Sequence, residues 1–350
     1  MKLLKNVFLG SSVLLVGHFL SGCTVQPVVI NTSYVAPANS QEATKLRRVA
    51  VLPFSQKNND DVTPNVEQVL AEATVNNQKY YAVVERNKLD TLLREMKLGE
   101  SGALDSTTVA RVGRMAGAEG VYAGAIVRHD ILNAPYSETR TRCAYFTTQT
   151  DKKGKSYEVC ARYENYNVAC NKRTGVYSFI PKLIEVETGV IRYSGELTGE
   201  ASSSACSDSQ TGIKDGRQLL AEAKNYAVIK FRQDVTPHSK MVSIVILESN
   251  ERIKSSVDKD SFNRAIEFAK GGRLDRACEI WGGIADTTSP DLLYNKGVCS
   301  ETGGNLADAL TLFIQADRLT DKPVAVIGQA LNRVRKIEED RKKLQSQTAK

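Results

Sequence analysis

The sequence predicts an α+β protein in which a domain of alternating strands and helices, built on a mixed sheet, precedes an all-helical domain. Two observations predict this class. Strand-length apolar runs alternate with helical periodicity through residues 46–250, and helical periodicity alone continues through residues 258–345. A chain of 350 residues is long enough for two domains that each bury a hydrophobic core.

The N-terminus has the organisation of a secretory signal. Lys2 and Lys5 precede an apolar run from Val7 to Leu20, and small residues lead to Cys23. A basic start, a short apolar run and small residues at the cleavage point are typical of a signal that is removed. The run is also shorter than the about 20 residues that span a bilayer. Residues 1–22 are therefore predicted to be cleaved.

The tetrapeptide that ends at Cys23, Leu-Ser-Gly-Cys, resembles the lipobox of bacterial lipoproteins. The resemblance implies that the mature chain begins at Cys23 and that this residue carries acyl chains such as palmitate. The residue after Cys23 is Thr24 and not an aspartate. The absence of aspartate at this position resembles lipoproteins that are sent to the outer membrane. The predicted location is therefore the periplasmic face of the outer membrane, with membrane lipid as a partner. The alternative is an ordinary secretory signal with an incidental cysteine.

The segment 23–45 is predicted to be a flexible tether, because it contains Pro27 and Pro37 and shows no sustained period. The α/β region follows it. Its strands are predicted from apolar runs, and its helices from apolar residues three and four positions apart. The predicted elements are a strand at Arg48–Phe54, a helix through Val66–Ala73, a strand at Tyr80–Glu85, a helix through Leu89–Met96, a helix from Asp105 or Ser106 to Gly117, and a strand at Gly120–Val127.

The second half of this region predicts a hairpin and a helix. Two alternating apolar runs within Pro181–Ser194 flank Thr188-Gly189, which is typical of a tight turn. A helix is predicted over Leu219–Phe231, and Met241–Leu247 is predicted as a last strand of the sheet.

The runs Val83–Leu93 and Gly117–Ala125 resemble the lipoprotein family of the curli-secretion channel CsgG and the holdfast-attachment protein HfaB. The resemblance extends from about Arg47 to about Thr236. It implies a lipid-anchored scaffold or accessory factor in the assembly or secretion of cell-surface structures. One alternative that it leaves open is an oligomeric curli-type secretion channel built from copies of this chain. Another is an activator of a peptidoglycan synthase, as in the related LpoB.

Two polar segments, about 128–178 and 199–216, stand where the family's channel has membrane-spanning hairpins. They carry many charged residues, which we interpret as falling on both faces of the strands, so the sequence argues against a pore. We expect surface hairpins stapled by disulfides instead. The aromatic residues there are interpreted as cross-strand partners or as a face for glycan or protein. These residues are Tyr145, Phe146, Tyr157, Tyr163 and Tyr166.

Six cysteines remain beside Cys23, and an even number in an exported protein favours disulfides. A turn at residues 151–154 brings Cys143 near Cys160. A fold about Thr188-Gly189 places Cys170 opposite position 207, beside Cys206. Four cysteines allow three connectivities, so these pairings are hypotheses. Zinc ligation is disfavoured because no CxxC pair or neighbouring histidine is present, and no metal is predicted.

The C-terminal pattern resembles the tetratricopeptide repeat, in which alanine is followed by an aromatic residue four positions on. Ala277 with Trp281, and Ala309 with Phe313, show this pattern. The helix Val324–Leu344 is predicted as a cap, and Cys278 with Cys299 as a third disulfide between adjacent helices. The resemblance implies a protein partner. The alternative is a helical pair that only supports the first domain.

No catalytic residue or cofactor is predicted. The histidines are His18, His129 and His238, and catalytic triads, HExxH and phosphate-binding loops are absent from the sequence. The pair Asp60-Asp61 is interpreted as part of a solvated turn. The formal net charge of +7 comes from interspersed acids and bases, which indicates no nucleic-acid partner. We therefore expect a protein that is not an enzyme.

Overall fold

The computed structural model describes residues 27–96 and 105–349. The predicted signal peptide and Cys23 lie outside the described residues. The described chain divides into two compact units. One, here called the α/β unit, comprises Ser33–Val242 with the chain from Asn332 onward, and the other, the helical unit, comprises residues 27–32 with Ser243–Leu331. The predicted α+β class is confirmed, with a mixed sheet and a helical C-terminal region.

The strands are numbered in chain order. They are β1 (Val29–Ala36), β2 (Arg48–Val51), β3 (Thr74–Val75), β4 (Gln78–Lys79), β5 (Ala82–Val83), β6 (Gly120–Thr150), β7 (Ser156–Glu185), β8 (Ile191–Ser194), β9 (Leu197–Cys206) and β10 (His238–Val245). The α-helices are α1 (Thr63–Glu72), α2 (Arg86–Glu95), α3 (Ser106–Ala116), α4 (Gly216–Val235), α5 (Ser256–Lys270), α6 (Leu274–Gly283), α7 (Pro290–Thr302), α8 (Leu306–Arg318) and α9 (Ala325–Thr348).

The main sheet of the α/β unit has the order β5-β2-β6-β7-β8, and β9 also pairs with β7. Strand β2 runs parallel to β5 and β6, whereas the pairs formed by β7 are antiparallel. Successive side chains of a strand point to opposite faces. Tyr122 accordingly packs with α1 and α4 on one face, and Val121 packs with α2 and α3 on the other.

Local sequence signals account for the helix ends in this unit. The Asp105 carboxylate accepts hydrogen bonds from the backbone N–H groups of Thr107 and Thr108, both at 3.0 Å, and so caps α3. Gly117 ends the helix in the left-handed conformation, with φ of 74°. A Cβ at Gly199 would be 1.9 Å from the carbonyl oxygen of Ala223. The glycine therefore allows helix α4 to pack closely against β9.

The structure differs from the sequence prediction at β1 and β10. Strand β1 and a short 3₁₀ helix at Glu42–Thr44 lie within the segment predicted as a tether. Strand β10 pairs with β1 in a separate two-stranded sheet, so it is not the last strand of the main sheet. Exposure alternates along β1 with the period of a strand. Apolar Val29 and Val35 at exposed positions, and polar Thr32 at a half-buried one, conceal that period in the sequence.

The helical unit packs its helices through small and aromatic residues. Ala277, Trp281, Ala309 and Phe313 are fully buried. A Cβ at Gly297 would lie 2.6 Å from the Phe313 ring, so only glycine allows α7 and α8 this approach. In the part of the chain that the structure describes, no helix is both long and apolar enough to cross a membrane.

Candidate functional site

The strands β6 and β7 pair over almost their whole length, from Gly120 opposite Glu185 to Thr150 opposite Ser156. Their inner ends lie in the sheet of the α/β unit, and we call this part the base. From Ile131 outward to the turn and back to Gly175 the side chains are mostly exposed, and we call this part the ribbon. At about 3.3 Å per residue, the ribbon extends about 60 Å from the base.

Two disulfides fasten the ribbon. Cys170 pairs with Cys206, where β9 stops accompanying β7, and Cys143 pairs with Cys160 nearer the tip, with 5.7 Å between their Cα atoms. Beyond Cys170 the ribbon has only two strands. An isolated two-stranded hairpin is marginally stable in water, so the covalent links compensate for the missing core. A loop of this length gains about 3 kcal/mol from such a link.

Charged side chains occupy only one face of the ribbon between Pro135 and Cys143. Directly opposed residues of an antiparallel pair share a face, and this stretch has no register shift. Glu138, Arg140, Arg142 and Glu164 all lie on one face, here called the charged face. Charges at positions of the other parity lie in the turn, or near the base as Arg173 does. The interpretation that charges fall on both faces is therefore wrong for this stretch.

The charges of that face neutralise one another. Arg140 binds both carboxylate oxygens of Asp208 at 2.8 Å and Glu138 at 3.1 Å. Arg142 donates to Glu164 at 2.7 Å, and its guanidinium lies 4.9 Å from the centre of the Tyr166 ring. This face is thus internally paired and presents little net charge to a partner.

The opposite face, here called the neutral face, carries no formal charge. Its residues are Pro135, Ser137, Thr139, Thr141, Cys143, Tyr163, Asn165, Asn167, Ala169 and Asn171. The Thr139 hydroxyl donates to Asn167 Oδ1 at 2.9 Å, and the Thr141 hydroxyl donates to Asn165 Oδ1 at the same distance. Except for Cys143 and Asn171, all of these residues are exposed.

The aromatic residues singled out in the sequence divide into two groups. Tyr166 is half-buried under Arg142, which makes it a cross-strand partner. Tyr145, Phe146, Tyr157 and Tyr163 are exposed, and Tyr163 is the most exposed at 68%. Of these, Tyr157 donates its hydroxyl proton to Gln149 across the ribbon at 3.3 Å. The exposed rings remain accessible as contact surfaces.

A polar network that the sequence does not reveal fixes the base of the ribbon. Tyr177 donates its hydroxyl proton to Asp60 Oδ2 at 2.7 Å, and the Lys224 ammonium lies 3.0 Å from Asp60 Oδ1. Burial, followed by the hydrogen bond to Asp60, raises the pKa of the Tyr177 phenol above its ordinary value. Asp60 therefore ties β7 to α4, whereas its sequence context predicted only a solvated turn. No local signal could have shown this, because its partners are distant in the chain.

In the helical unit, α7 holds an extended segment of the same chain. Tyr294 donates its hydroxyl proton to the carbonyl oxygen of Val245 at 2.9 Å. The buried side chain of Asn295 accepts from Leu247 N at 3.1 Å and donates to Leu247 O at 2.8 Å. Asp291 accepts from Ser249 N at 2.8 Å, and burial raises the pKa of its carboxyl group. This face of α7 is thus occupied by the chain itself.

The remaining predicted cysteines also form a disulfide in the structure, in which Cys278 of α6 is joined to Cys299 of α7. Among the described residues, Glu138, Cys170 and Cys206 place ligand atoms close enough together to hold a metal ion. The sulfur atoms of Cys170 and Cys206 are bonded to each other in a disulfide. The group therefore offers no thiolate, and metals bind cysteine as the thiolate.

Mixed α+β sheets of this kind occur with many functions, so the fold alone assigns none. Residues 32–135 match the family model described as "Curli production assembly/transport component CsgG". Over these residues the chain is similar to the CsgG family, which agrees with the resemblance in its sequence. No curated protein matches the chain significantly.

Solved structures give weaker likenesses. The C-terminal domain of LpoB from Salmonella enterica is 13% identical, with a TM-score of 0.24 over 46% of this chain and 83% of that one. A PelC dodecamer from Paraburkholderia phytofirmans is also 13% identical, with a TM-score of 0.22 over 59% of this chain and 98% of that one. At these TM-scores neither likeness carries a functional argument.

Proposed function

We propose that this protein is a lipid-anchored outer-membrane lipoprotein that acts, on the periplasmic face, as a scaffold or accessory factor in the assembly or secretion of cell-surface structures. The observation that carries the proposal is the match of residues 32–135 to an assembly and transport component. We propose no catalytic role for the protein. The disulfides support an exported location, because such bonds persist in oxidising compartments such as the periplasm.

The anchor is proposed to be acylated Cys23. Two or more acyl chains give stable membrane attachment, at about 0.8 kcal/mol per buried methylene. Strand β1 begins at Val29, six residues after Cys23, and six residues span at most about 20 Å. The folded chain would then start close to the membrane surface, with less freedom than a tether of the predicted length would give.

The ribbon is proposed to bind the other proteins or polymers of the surface structure. It extends from a base that the Asp60 network and α4 hold in place, so a partner bound to it keeps a defined position relative to the α/β unit. The helical unit is proposed to contribute a protein-binding surface as well. Because α7 is already occupied by Val245–Ser249, a partner there would use other helix faces or displace this segment.

The test uses two variants in cells that make the surface structure. Cys23→Ala is expected to abolish labelling with a palmitate analogue and to release the protein from the membrane fraction. In the second variant, residues 137–169 are replaced by an Asn-Gly turn, which joins the opposed pair Tyr136 and Cys170 as a two-residue hairpin. We expect this variant to remain membrane-bound and to lose assembly. Normal surface assembly with both variants would contradict the proposal.

A second candidate is an oligomeric secretion channel, and one observation favours it. Beyond β9 both edges of the ribbon are unpaired in the described chain, and between Pro135 and Cys143 its charges lie on one face. Unpaired strand edges are templates for pairing with another chain. Blue-native electrophoresis and single-channel recording separate the candidates. A stable large oligomer with conductance would support the channel, and a non-conducting protein would support the scaffold.

A further inference from the structure

The neutral face has a composition that contrasts with the rest of the protein. Charged residues make up 25% of the chain, yet this exposed face has none. The charged face on the same strands holds two ion-paired arginines and buries Val168 and Cys170. The neutral face is therefore the more accessible of the two, and no charged residue of its own competes for a ligand.

The polar groups of this face are arranged as a repeat. In each of the two Thr–Asn pairs, the threonine hydroxyl donates its proton to the side-chain oxygen of the asparagine. Both N–H donors of Asn165 and of Asn167 have no partner among the described residues, and the hydroxyl oxygens of the threonines keep their acceptor capacity. Residues two apart on a strand are separated by about 7 Å. The face thus repeats the same set of donors and acceptors at a regular spacing.

An aromatic ring continues the array toward the tip. Tyr163 lies two residues from Asn165 on the same strand face and is 68% exposed. A tyrosine ring combines an apolar surface with a polar edge, so it can stack against the C–H face of a sugar ring. At the other end, Asn171 Oδ1 is buried and has no hydrogen-bond partner among the described residues.

We propose that the neutral face binds an uncharged polysaccharide along the ribbon. A regular array of amide and hydroxyl groups beside an exposed ring complements a polymer of repeating hydroxyl-rich units. Anionic polymers and lipid headgroups are disfavoured because the face offers no cation for a phosphate or carboxylate. Acyl chains are disfavoured because its amides would lose their hydrogen bonds to water. A β-strand of a protein partner would pair with the ribbon edges, not with this face.

The test measures binding to the full mature chain in detergent by isothermal titration, with cellohexaose, maltohexaose and chitohexaose as neutral probes and alginate as the anionic one. At least one neutral hexamer is expected to bind, and more tightly than its trimer, because the array repeats. Tyr163→Ala and the double variant Asn165→Asp with Asn167→Asp are each expected to weaken binding about tenfold.

The matched control acts on the charged face at the same level of the ribbon. The double variant Arg142→Gln with Glu164→Gln is expected to change affinity less than twofold. Disulfide mapping and circular dichroism verify that each variant keeps the ribbon. The proposal is overturned if no neutral hexamer binds or if alginate alone binds. It is also overturned if the control loses as much affinity as Tyr163→Ala, or if the face proves to join two copies of the chain.

Discussion

The base and the ribbon are two parts of one hairpin, and they hold the same β6–β7 ladder in different ways. At the base, Tyr122, Tyr177 and Phe179 are fully buried among helices. On the ribbon the side chains are mostly exposed, and order comes from disulfides and from cross-strand Thr–Asn hydrogen bonds. The family match also ends at residue 135, where the neutral face begins. The base thus supports an arm that is held together by different interactions.

The largest expected effect is at the base. Phe179→Ala removes a fully buried ring whose centre lies 6.1 Å from those of Phe54 and Phe231. We expect the free energy of unfolding of the α/β unit to fall by about 3–5 kcal/mol, measured by urea denaturation under oxidising conditions. Tyr163→Ala on the ribbon is the matched control and should leave that free energy nearly unchanged. Similar losses for both variants would remove the distinction between base and ribbon.

The next largest effect is expected on the protease resistance of the ribbon, and not on that of the α/β unit. Replacing Cys143 and Cys160 by serine removes a link worth about 3 kcal/mol in its loop. We expect trypsin to cleave rapidly after Arg140, Arg142 and Arg162 in this variant, while the α/β unit remains resistant. Serine replacement of Cys278 and Cys299 is the control, since it leaves the ribbon intact. Equal cleavage of the ribbon in both variants would show that the disulfide does not hold it.

The junction between base and ribbon depends on Asp60. Asp60→Asn removes the charge that binds Lys224 and weakens the acceptor for the Tyr177 hydroxyl. Because hydrogen bonds to charged groups contribute about 1.5–3 kcal/mol, the unit should lose stability by that order in urea denaturation. The exposed carboxylate of Asp208, which follows β9 and pairs with Arg140 of the ribbon, provides a contrast. Asp208→Asn should have a much smaller effect.

A pH dependence follows from the same junction. The pKa of the Tyr177 phenol is raised above its ordinary value in the folded chain, so the folded state holds this proton more tightly than the unfolded state. Its contribution to stability is complete below about pH 10 and is lost as the pH rises beyond that value. Tyr177→Phe should therefore lose less stability than the unaltered protein between pH 9 and about pH 11. An equal loss in both proteins would contradict this role for Tyr177.

The smallest effect is expected on the charged face. Arg142→Gln removes an exposed ion pair with Glu164, and exposed pairs contribute little to stability. Neither thermal unfolding nor its dependence on salt should change measurably. A clear loss of stability would mean that the ribbon's charges, and not its cross-links, maintain its two strands.

Local signals make much of the α/β unit predictable from the sequence. The cap at Asp105, the left-handed Gly117 and the turn at Gly189 each act within a few residues. Counting from that turn also placed Cys170 beside Cys206, because antiparallel register is fixed by the turn. The Asp60 network and the occupied face of α7 could not be predicted, since they join residues far apart in the chain. The separation of charges is hidden in the sequence, because the turn and the segment near Arg173 carry charges of the other parity.

Hydrogen exchange of the oxidised protein, followed by mass spectrometry, tests most directly whether the ribbon is an ordered arm on a folded base. We predict slow exchange for the amides of residues 120–127 and 178–185. Intermediate but clear protection is predicted for residues 137–143 and 163–169, which should fall to the rate of an unstructured chain when the disulfides are reduced. Unprotected ribbon amides in the oxidised protein would contradict the account, as would protection that is unchanged by reduction.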